Sequence, residues 1–200
     1  GGGGDDRLLG GDGNDTSYGS DGNDLVYEQN GDTGDDHMFG GEGDDDVRAM
    51  GGADLVRGGP GNDQVNGGNE PDTVRGGGGD DVLVPDDNVD RVIGGPGEDA
   101  VNYRVDYTED TNTLHRKIVN VDLAAGRAWG GFGPDRLTGV EDAVSGNGRD
   151  VLRGDGGPNV LRGHGGSDVL AGRGGVDELF GGAKPDRCTS PSSGALAHSC

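Results

Sequence analysis

The sequence has little of the material from which a conventional protein core is made. Only 28% of its 200 residues are hydrophobic and only 4% are aromatic, so a conventional globular core is not expected. Low hydrophobicity combined with a formal net charge of −22 is the usual signature of a disordered chain. Disorder is therefore the simplest hypothesis, and a folded structure can be inferred only from further evidence in the sequence.

Other features that the sequence lacks exclude several classes of function. Basic residues are few, 16 Lys and Arg against 38 Asp and Glu, so no nucleic acid is expected as a partner because its phosphates would be repelled. No run of 18 or more apolar residues occurs, hence no transmembrane segment is expected. The sequence contains neither an H-E-x-x-H zinc motif nor a G-x-S-x-G nucleophile elbow. We therefore expect no enzymatic activity, and the surplus of carboxylates points to cations as partners.

Cysteine is also scarce, since the chain has only Cys188 and Cys200. Two cysteines so close together favour a disulfide and an oxidising compartment, with a pair of free thiols as the alternative. A bridge between them would close a short loop, which stabilises by roughly 3 kcal/mol in the chain-entropy model. We interpret residues 188–200 as a C-terminal cap with a possible Cys188–Cys200 disulfide.

Glycine, by contrast, supplies 47 residues, and it recurs with aspartate at a fixed period of nine. Eleven units of the type GGDGNDTSY extend from Gly1 to Asn102. Three extra residues, 28–30, are inserted between the third and fourth units. Position six is aspartate in all eleven, and position eight is Leu, Val or Met in ten and serine in the other. A second run of five units begins at Ser145, where position six is acidic except at Asn159. A random Gly/Asp-rich chain would not keep both positions, so the repeat argues against disorder of the metal-loaded chain.

Each unit divides into a six-residue turn and a three-residue strand. Glycines at positions one, two and four permit positive φ and let turn carbonyls approach one another, while the aspartate at six adds a short carboxylate. Such oxygen-rich turns suit calcium, which takes about 6–8 oxygen ligands in a forgiving geometry, better than magnesium or zinc. In the strand, position eight points to one face and its neighbours point to the other. Two nonapeptides therefore make one coil of turn, strand, turn and strand.

The pattern resembles the RTX, or hemolysin-type, calcium-binding repeat GGxGxDxUx, in which U is apolar. This resemblance implies an all-β fold, a parallel β-roll (a right-handed β-solenoid) with about 18 residues per coil and calcium in the turns. It also implies that each ion lies between successive turns on one edge and is held by turn carbonyls and by two aspartates, such as Asp6 with Asp24, Asp15 with Asp36, and Asp45 with Asp63. The candidate metal ligands are the position-six aspartates: Asp6, Asp15, Asp24, Asp36, Asp45, Asp54, Asp63, Asp72, Asp81, Asp90, Asp99, Asp150, Asp168, Asp177 and Asp186.

We expect roughly six to ten calcium ions, fewer than the pairs of turns would allow. Glu70 and Asn88 replace the glycine at position four of their units, which is expected to distort those turns, and the insertion at 28–30 interrupts the spacing. Burying a single Val or Leu per unit does not offset the conformational entropy of ordering nine residues. We therefore expect the metal-free chain to be disordered and to fold when it binds calcium.

Residues 103–144 break the nine-residue period, and we predict that they form non-repeat coils and a surface loop that continue the solenoid. The stretch HRKIVNVDLAAGRAWGGFGPDRLTGVEDAVSG resembles a non-calcium coil found inside RTX rolls, and within it GGFGPDRLT restores one unit with Asp135 at position six. Alternation predicts a strand at Val119, Val121 and Leu123. Further apolar interior positions are expected at Leu137, Val140 and Val144. A separate small domain or a flexible linker is the alternative.

We interpret the chain as a multi-site calcium-binding module, extracellular and of the secreted bacterial type, with a structural or secretion-coupled role in a larger secreted protein. The expected organisation is a first β-roll at residues 1–102, the segment 103–144 and a second calcium-binding run at 145–187. A roll that begins flush with a repeat leaves a strand edge unpaired, so we expect an upstream domain or partner chain to cover the N-terminal edge. The alternatives are a carbohydrate- or surface-binding adhesin module, and the C-terminal part of a secreted hydrolase or toxin.

Overall fold

The computed structural model describes residues 1–86, 88–104, 117–131, 133–191 and 195–200. Over these residues the secondary structure consists of strands, bridges and turns, without any helix. The same part of the chain therefore offers no helix that could cross a bilayer. The predicted all-β class is confirmed. The surface loop expected at residues 103–114 lies mostly outside the described residues, and Tyr103 at its start is buried.

The strands are short and fall into two compact units. Unit 1 comprises residues 1–101 and 135–139, and unit 2 comprises residues 102–134 and 140–200. The strands of unit 1 are β1 (Arg7–Leu9), β2 (Thr16–Asp21), β3 (Leu25–Tyr27), β4 (His37–Glu42), β5 (Asp46–Arg48), β6 (Leu55–Pro60), β7 (Gln64–Asn66), β8 (Thr73–Gly78), β9 (Val82–Val84), β10 (Arg91–Ile93), β11 (Ala100–Asn102, whose last residue belongs to unit 2) and β14 (Asp135–Thr138). The strands of unit 2 are β12 (Val119–Asp122), β13 (Arg127–Gly130), β15 (Asp142–Val144), β16 (Val151–Arg153), β17 (Val160–Arg162), β18 (Val169–Ala171), β19 (Glu178–Phe180), β20 (Arg187–Thr189) and β21 (Leu196–His198).

In unit 1, each strand from β1 to β11 begins directly after the position-six aspartate of its repeat. The chain alternates between two sheets, with the orders β1-β3-β5-β7-β9-β11 and β2-β4-β6-β8-β10-β14, and the neighbouring strands are parallel. Paired residues lie 18 positions apart, as Leu55 and Thr73 do, so one coil contains two nonapeptides. The predicted parallel β-roll and its coil length are confirmed.

The three inserted residues at 28–30 are absorbed in a turn. Thr16 pairs with His37 and Leu25 pairs with Asp46, 21 positions apart, whereas the pairs before and after them keep the spacing of 18. The insertion therefore lengthens the turn between β3 and β4 and leaves the strand register intact. The expected interruption of the spacing does not interrupt the ladder.

The core of unit 1 is a thin file of apolar side chains. Because side chains alternate along a strand, position eight of each repeat points inward, and one such residue per strand supplies the interior. All of the following have no solvent-accessible surface: Val26, Met38, Val47, Val56, Val65, Val74, Leu83, Val92 and Val101. So narrow a core leaves each coil dependent on what its turns contribute.

Glycine is needed where successive turns stack. Gly59 and Gly61 adopt φ angles of 140° and 137°, which side chains with a Cβ rarely adopt. A Cβ on Gly59 would lie 1.9 Å from the carbonyl oxygen of Gly41, and one on Gly61 would lie 2.0 Å from that of Gly43. Positions two and four are therefore restricted both by backbone conformation and by the turn of the preceding coil.

Two turns that lack glycine at position four still keep the same backbone conformation. Glu70 and Asn88 have positive φ angles of 75° and 100°. Their position-six residues, Asp72 and Asp90, are buried and stay in line with those of other turns. The position-six aspartates of both turns therefore stay aligned, and the departure from glycine appears as positive φ at Glu70 and Asn88, which costs on the order of 1–3 kcal/mol per residue.

Unit 2 uses the same architecture with larger interior residues. Its parallel sheets include β15-β17-β19-β21 and β12-β16-β18-β20. Leu152 pairs with Leu170, and Leu161 pairs with Leu179, again 18 positions apart. These four leucines are fully buried. Each therefore buries more apolar area than the valine that predominates in unit 1.

The non-repeat segment adds an antiparallel hairpin that the sequence pattern does not predict. Strand β12 pairs with β13 so that Val119 lies opposite Gly130. Val119 and Val121 are buried, as the alternation predicts. The strand ends at Asp122, and Leu123 begins the connecting turn while its side chain remains buried.

Further along this segment, the expected interior positions are partly wrong. Leu137 and Val140 are buried. In β15, however, Ala143 is completely buried and Val144 is only half-buried. The strand register pairs Ala143 with the buried Leu161 and pairs Val144 with Arg162, so the smaller residue faces the interior.

The C-terminal residues 188–200 continue both sheets of unit 2. Strand β20 pairs with β18, and β21 pairs with β19. Cys188, in β20, forms a disulfide with Cys200, and the two Cα atoms are 5.7 Å apart. The rings of Phe180 and His198 stack with their centroids 4.7 Å apart. The cystine and the stacked rings together hold the last strand against its neighbour.

Candidate calcium-binding turns

The position-six aspartates of unit 1 form two rows. The first row contains Asp6, Asp24, Asp45, Asp63, Asp81 and Asp99. The second row contains Asp15, Asp36, Asp54, Asp72, Asp90 and Asp135. Along each row the backbone N–H of one aspartate donates to Oδ1 of the next, with N–O distances between 2.7 and 3.0 Å. Within residues 1–102 each aspartate is therefore adjacent to the one with which the nine-residue period pairs it, whereas the contact between Asp90 and Asp135 was not predicted.

Only one oxygen of these carboxylates is satisfied within the protein. The other oxygen, Oδ2, is buried and accepts no hydrogen bond in Asp24, Asp36, Asp45, Asp54, Asp63, Asp72, Asp81 and Asp90. These side chains are at most 4% exposed. A buried ionised carboxylate without a partner is costly. A row of them calls for positive charge between the turns.

The pKa values of these carboxyls also indicate that nearby positive charge is lacking. In the first row, burial raises the pKa of Asp63 to about 6 and that of Asp81 to about 7. In the second row, burial raises the pKa of Asp54 to about 7 and those of Asp72 and Asp90 to about 8. Neighbouring aspartates raise them further, while the backbone N–H that each carboxylate accepts opposes the shift. A cation beside these groups would favour the ionised form.

Glycine at position one keeps the space beside Oδ2 open. A Cβ on Gly58 would lie 2.1 Å from Oδ2 of Asp63, and one on Gly76 would lie 2.0 Å from Oδ2 of Asp81. The carboxylates around this space offer oxygen ligands only, which a hard cation such as calcium prefers. The residues present therefore fit calcium.

A second ladder runs along the outside of the first row and was not among the predicted features. Asp44 N–H donates to Oδ1 of Asn23 (2.9 Å), Asn62 N–H to Oδ1 of Asp44 (2.8 Å), and Asp80 N–H to Oδ1 of Asn62 (2.8 Å). The signal for it is Asp or Asn at position five of every second unit, as at Asn23, Asp44, Asn62 and Asp80. Because these side chains are exposed and already accept a backbone N–H, they support the stacking of turns.

An acidic cluster that the sequence pattern does not reveal lies between the lengthened turn, which connects β3 and β4, and the turn before β2. One ligand oxygen each of Asp15, Glu28 and Asp36 lies within 4.8 Å of the others. Asp15 and Asp36 are predicted ligands, but Glu28 belongs to the insertion and was not assigned a role. No feature of the nine-residue period identifies Glu28, because the insertion interrupts that period.

Unit 2 contains one row of the same kind. Asp150 N–H donates to Oδ1 of Asp168 (2.8 Å), and Asp168 N–H donates to Oδ1 of Asp186 (2.9 Å). Oδ2 of all three is buried without a hydrogen-bond partner. Burial raises the pKa of Asp168 to about 6 and raises that of Asp150 as well. This row is short, and on its other side Oδ1 of Asp150 accepts from the N–H of Val119 instead of an aspartate.

The remaining position-six pair of unit 2 is satisfied internally. Asn159 donates from Nδ2 to the carbonyl oxygen of Glu141 (2.6 Å) and to Oδ1 of Asp155 (3.3 Å). Asp177 accepts the N–H of Asn159 at Oδ1 (3.2 Å) and the hydroxyl of Ser190 at Oδ2 (2.8 Å). An amide and a hydroxyl thus occupy the positions where the other rows have unsatisfied oxygens. Of the predicted ligands, Asp177 is the one least in need of a cation.

Stacked coils with one buried apolar residue per strand and carboxylates in the turns define the class of the protein, a parallel β-roll with metal-binding turns. The family model described as the RTX calcium-binding nonapeptide repeat (4 copies) matches residues 1–26, 30–65, 57–92, 66–101 and 144–179. These matches cover more than half of the chain, and the chain belongs to this calcium-binding repeat family. No curated protein matches the sequence.

Proposed function

We propose that the chain is a multi-site calcium-binding module that folds when it binds calcium and serves a structural, extracellular role within a larger secreted protein of the bacterial type. The observation that carries this proposal is the series of buried Oδ2 atoms that accept no hydrogen bond in the two rows of unit 1 and the one row of unit 2. Calcium, when bound, supplies the positive charge that these oxygens lack.

The ligand residues follow from the rows. In unit 1 the proposed sites lie between neighbouring aspartates within the first row and between neighbouring aspartates within the second row. In unit 2 they lie between Asp150, Asp168 and Asp186. About six to ten ions would occupy them, because a complete ligand set requires an intact turn on both sides. The pair Asn159 and Asp177 is excluded from this number, since its polar atoms already have partners within the protein.

Folding on binding follows from the balance of forces in unit 1. Its interior is a file of single valines and similar residues, while its aspartates are buried close to one another. Without cations the repulsion between carboxylates and their desolvation oppose the fold. Because each coil contacts only its neighbours, binding at one turn favours order in the next, and the transition is expected to be cooperative.

The extracellular role rests on the affinity that such sites have. Flexible oxygen sites of moderate charge fill at millimolar calcium and stay empty in the cytosol. A chain of this kind can travel unfolded and fold outside the cell, which matches the secreted bacterial proteins in which RTX repeats are typical. In this proposal the module has a structural or secretion-coupled role and no catalytic one.

Two measurements on the intact chain test the proposal. Circular dichroism should change from a disordered spectrum in chelator to a β spectrum as calcium is titrated to millimolar concentration. Equilibrium dialysis should then show uptake of several ions per chain. A β spectrum that is the same with and without chelator, or the absence of multi-ion uptake at millimolar calcium, would overturn it. Magnesium at the same concentration serves as the control and should not induce the fold.

A further inference from the structure

The lengthened turn of unit 1 differs from every other described turn of that unit in its first residue. The backbone N–H of Glu28 donates to the carbonyl oxygen of Arg48, as that of Gly10 donates to Tyr27 and that of Ala49 donates to Asn66. Glu28 therefore occupies position one of its turn. The other described turns of unit 1 have Gly, Ala or Pro at this position. Among them, only this turn carries a carboxylate at position one.

A side chain at position one points toward the position-six carboxylate of the same row. In the ordinary turns a Cβ at this position comes close to Oδ2, as Gly40 shows with a distance of 2.3 Å to Oδ2 of Asp45. The three extra residues enlarge the turn that contains Glu28, and this provides room for a long side chain. The insertion and the glutamate thus belong to one structural feature.

The carboxylate of Glu28 is buried and only half satisfied. Glu28 is 1% exposed. Its Oε2 accepts the N–H of Gly11 at 2.8 Å, while Oε1 is buried and accepts no hydrogen bond. Oδ2 of Asp36, whose side chain is completely buried, also has no partner. One oxygen of each of Asp15, Glu28 and Asp36 lies within 4.8 Å of the others, so the three carboxylates border a common space.

The rest of the turn is held in place by the protein itself. Oδ1 of Asp32 accepts the N–H groups of Thr33 (2.9 Å) and Gly13 (3.2 Å), which joins the lengthened turn to the turn of the preceding coil. The side-chain amide of Gln29 donates to Oδ1 of Asp12 in that same preceding turn. In the folded chain these contacts restrain the turn around the Glu28 carboxylate, which leaves that side chain less freedom to lose when a ligand binds.

We propose that Glu28, Asp15 and Asp36 form a three-carboxylate calcium site that binds more tightly than the two-aspartate sites of the same unit. This inference rests on the proposed calcium-binding function and assigns a ligand outside the repeat. The family matches end at residue 26 and resume at residue 30, so Glu28 lies outside the matched nonapeptides although it occupies position one of the lengthened turn. A third negative ligand raises calcium affinity because affinity in oxygen sites follows ligand charge and rigidity.

The test compares Glu28→Gln with Glu98→Gln by calorimetric calcium titration of the full chain. Glutamine keeps an oxygen that can accept the N–H of Gly11 but removes the charge. Glu98 is an exposed residue of the same unit, so its substitution changes the net charge equally and serves as the matched control. We expect Glu28→Gln to weaken the tightest binding step by about tenfold or more, with Glu98→Gln indistinguishable from wild type.

The outcomes separate this site from the general function. If wild type takes up several calcium ions and both variants bind like wild type, the three-carboxylate site is disproved and the proposed function stands. If wild type takes up no calcium, the proposed function itself fails. A crystal structure of the calcium-loaded wild-type protein, with the ions located by anomalous scattering, tests the site even if Glu28→Gln does not fold. An ion about 2.3–2.6 Å from Oε1 of Glu28 supports it, and ions in other turns with none at Glu28 overturn it.

Discussion

Units 1 and 2 are built from the same repeat but carry very different charge. Unit 1 contains 26 Asp and Glu against 6 Lys and Arg, a formal net charge of −20, whereas unit 2 contains 12 against 10, a net charge of −2. Both form parallel coils of two nonapeptides with one buried apolar residue per strand. The coil geometry is therefore independent of the charge, but the means of neutralising the buried carboxylates is not.

Unit 2 satisfies much of its polar interior with its own residues. The guanidinium of Arg173 makes two hydrogen bonds to the carboxylate of Asp122, at 2.7 and 2.8 Å, and this contact lowers the pKa of Asp122. Asn159 replaces an aspartate and finds partners within the unit. Its interior is leucine where unit 1 has valine. The two units therefore differ in how many position-six oxygens remain unsatisfied, and we expect their dependence on calcium to differ in the same direction.

The largest expected effect is that of calcium removal. As free calcium is lowered, the strands of unit 1 should lose essentially all protection against amide hydrogen exchange, and they should do so at a higher calcium concentration than β16–β19 of unit 2. The reason is the larger uncompensated negative charge of unit 1. Hydrogen exchange with mass spectrometry at stepwise calcium concentrations measures both midpoints. Equal midpoints, or earlier loss in unit 2, would contradict the comparison.

Removing one carboxylate from each unit tests the difference between the two units at single residues. Asp63→Asn keeps an acceptor for the N–H of Asp45 but removes a proposed ligand in the middle of the first row, and it should destabilise the calcium-loaded chain by on the order of 2–3 kcal/mol. Asp177→Asn should cost much less, because both oxygens of Asp177 already accept hydrogen bonds. Thermal unfolding in excess calcium gives both values. A larger loss for Asp177→Asn would show that hydrogen bonds, and not cations, support the rows.

Acid should partly replace calcium in unit 1. Burial raises the pKa values of Asp54 and Asp81 to about 7 and those of Asp72 and Asp90 to about 8, above the value of about 3.9 for an unfolded aspartate. A carboxyl whose pKa is raised by folding stabilises the fold fully below its unfolded pKa and loses this effect as the pH rises through its folded pKa. The metal-free unit 1 should therefore be most ordered near pH 4 and lose order up to about pH 8.

Circular dichroism of metal-free protein between pH 4 and 8 measures this dependence, with light scattering as the control for aggregation. In unit 2, burial raises the pKa of Asp168 to about 6, so the pH-dependent change of unit 2 should be complete at lower pH. In the presence of calcium the pH dependence should be the opposite. Protons compete with calcium for the same oxygens, so the apparent calcium affinity should fall as the pH falls. Metal-free protein that gains no β signal on acidification would argue against buried carboxylates as the destabilising groups.

The smallest expected effect concerns the ion pair of unit 2. Arg173→Ala removes the two hydrogen bonds to Asp122 and a third to the carbonyl oxygen of Gly154 (2.8 Å). Because the guanidinium is about one third exposed, we expect a loss of about 1 kcal/mol together with a higher calcium midpoint for unit 2. Arg173→Lys should not restore the loss, since lysine cannot form the paired hydrogen bonds. Calcium titration followed by hydrogen exchange in β16–β18 provides the measurement, and an unchanged midpoint would show that this pair does not substitute for a cation.

Much of the fold could be predicted because the repeat is local. The aspartate at position six and the apolar residue at position eight mark where each strand begins and which side chain is buried, and Val65 and Leu161 are examples in the two units. The stacking of turns follows from glycines such as Gly61. The alignment of the position-six aspartates into rows follows from the same period, since a coil of two units brings every second aspartate together.

Other features could not be predicted because they depend on distant partners. Strand β14 (Asp135–Thr138) pairs in parallel with β10, with Arg136 opposite Arg91, 45 positions earlier. Strand β13 folds back in antiparallel pairing with β12. Asn159 keeps the place of an aspartate because the carbonyl oxygen of Glu141 accepts its amide. No periodicity encodes these choices.

The sequence alone determined that the repeats form coils, which repeat position lies inside them and that calcium is the matching cation, because a period of nine places the same chemical groups at equal steps. The tertiary structure decided which oxygens remain unsatisfied after folding and which are already paired. It also decided that Glu28 lies beside Asp36, because the insertion enlarges one turn while the neighbouring strands keep their register. Which oxygens are paired and where Glu28 lies depend on hydrogen bonds and packing between residues of successive coils. Those contacts form only when the coils stack.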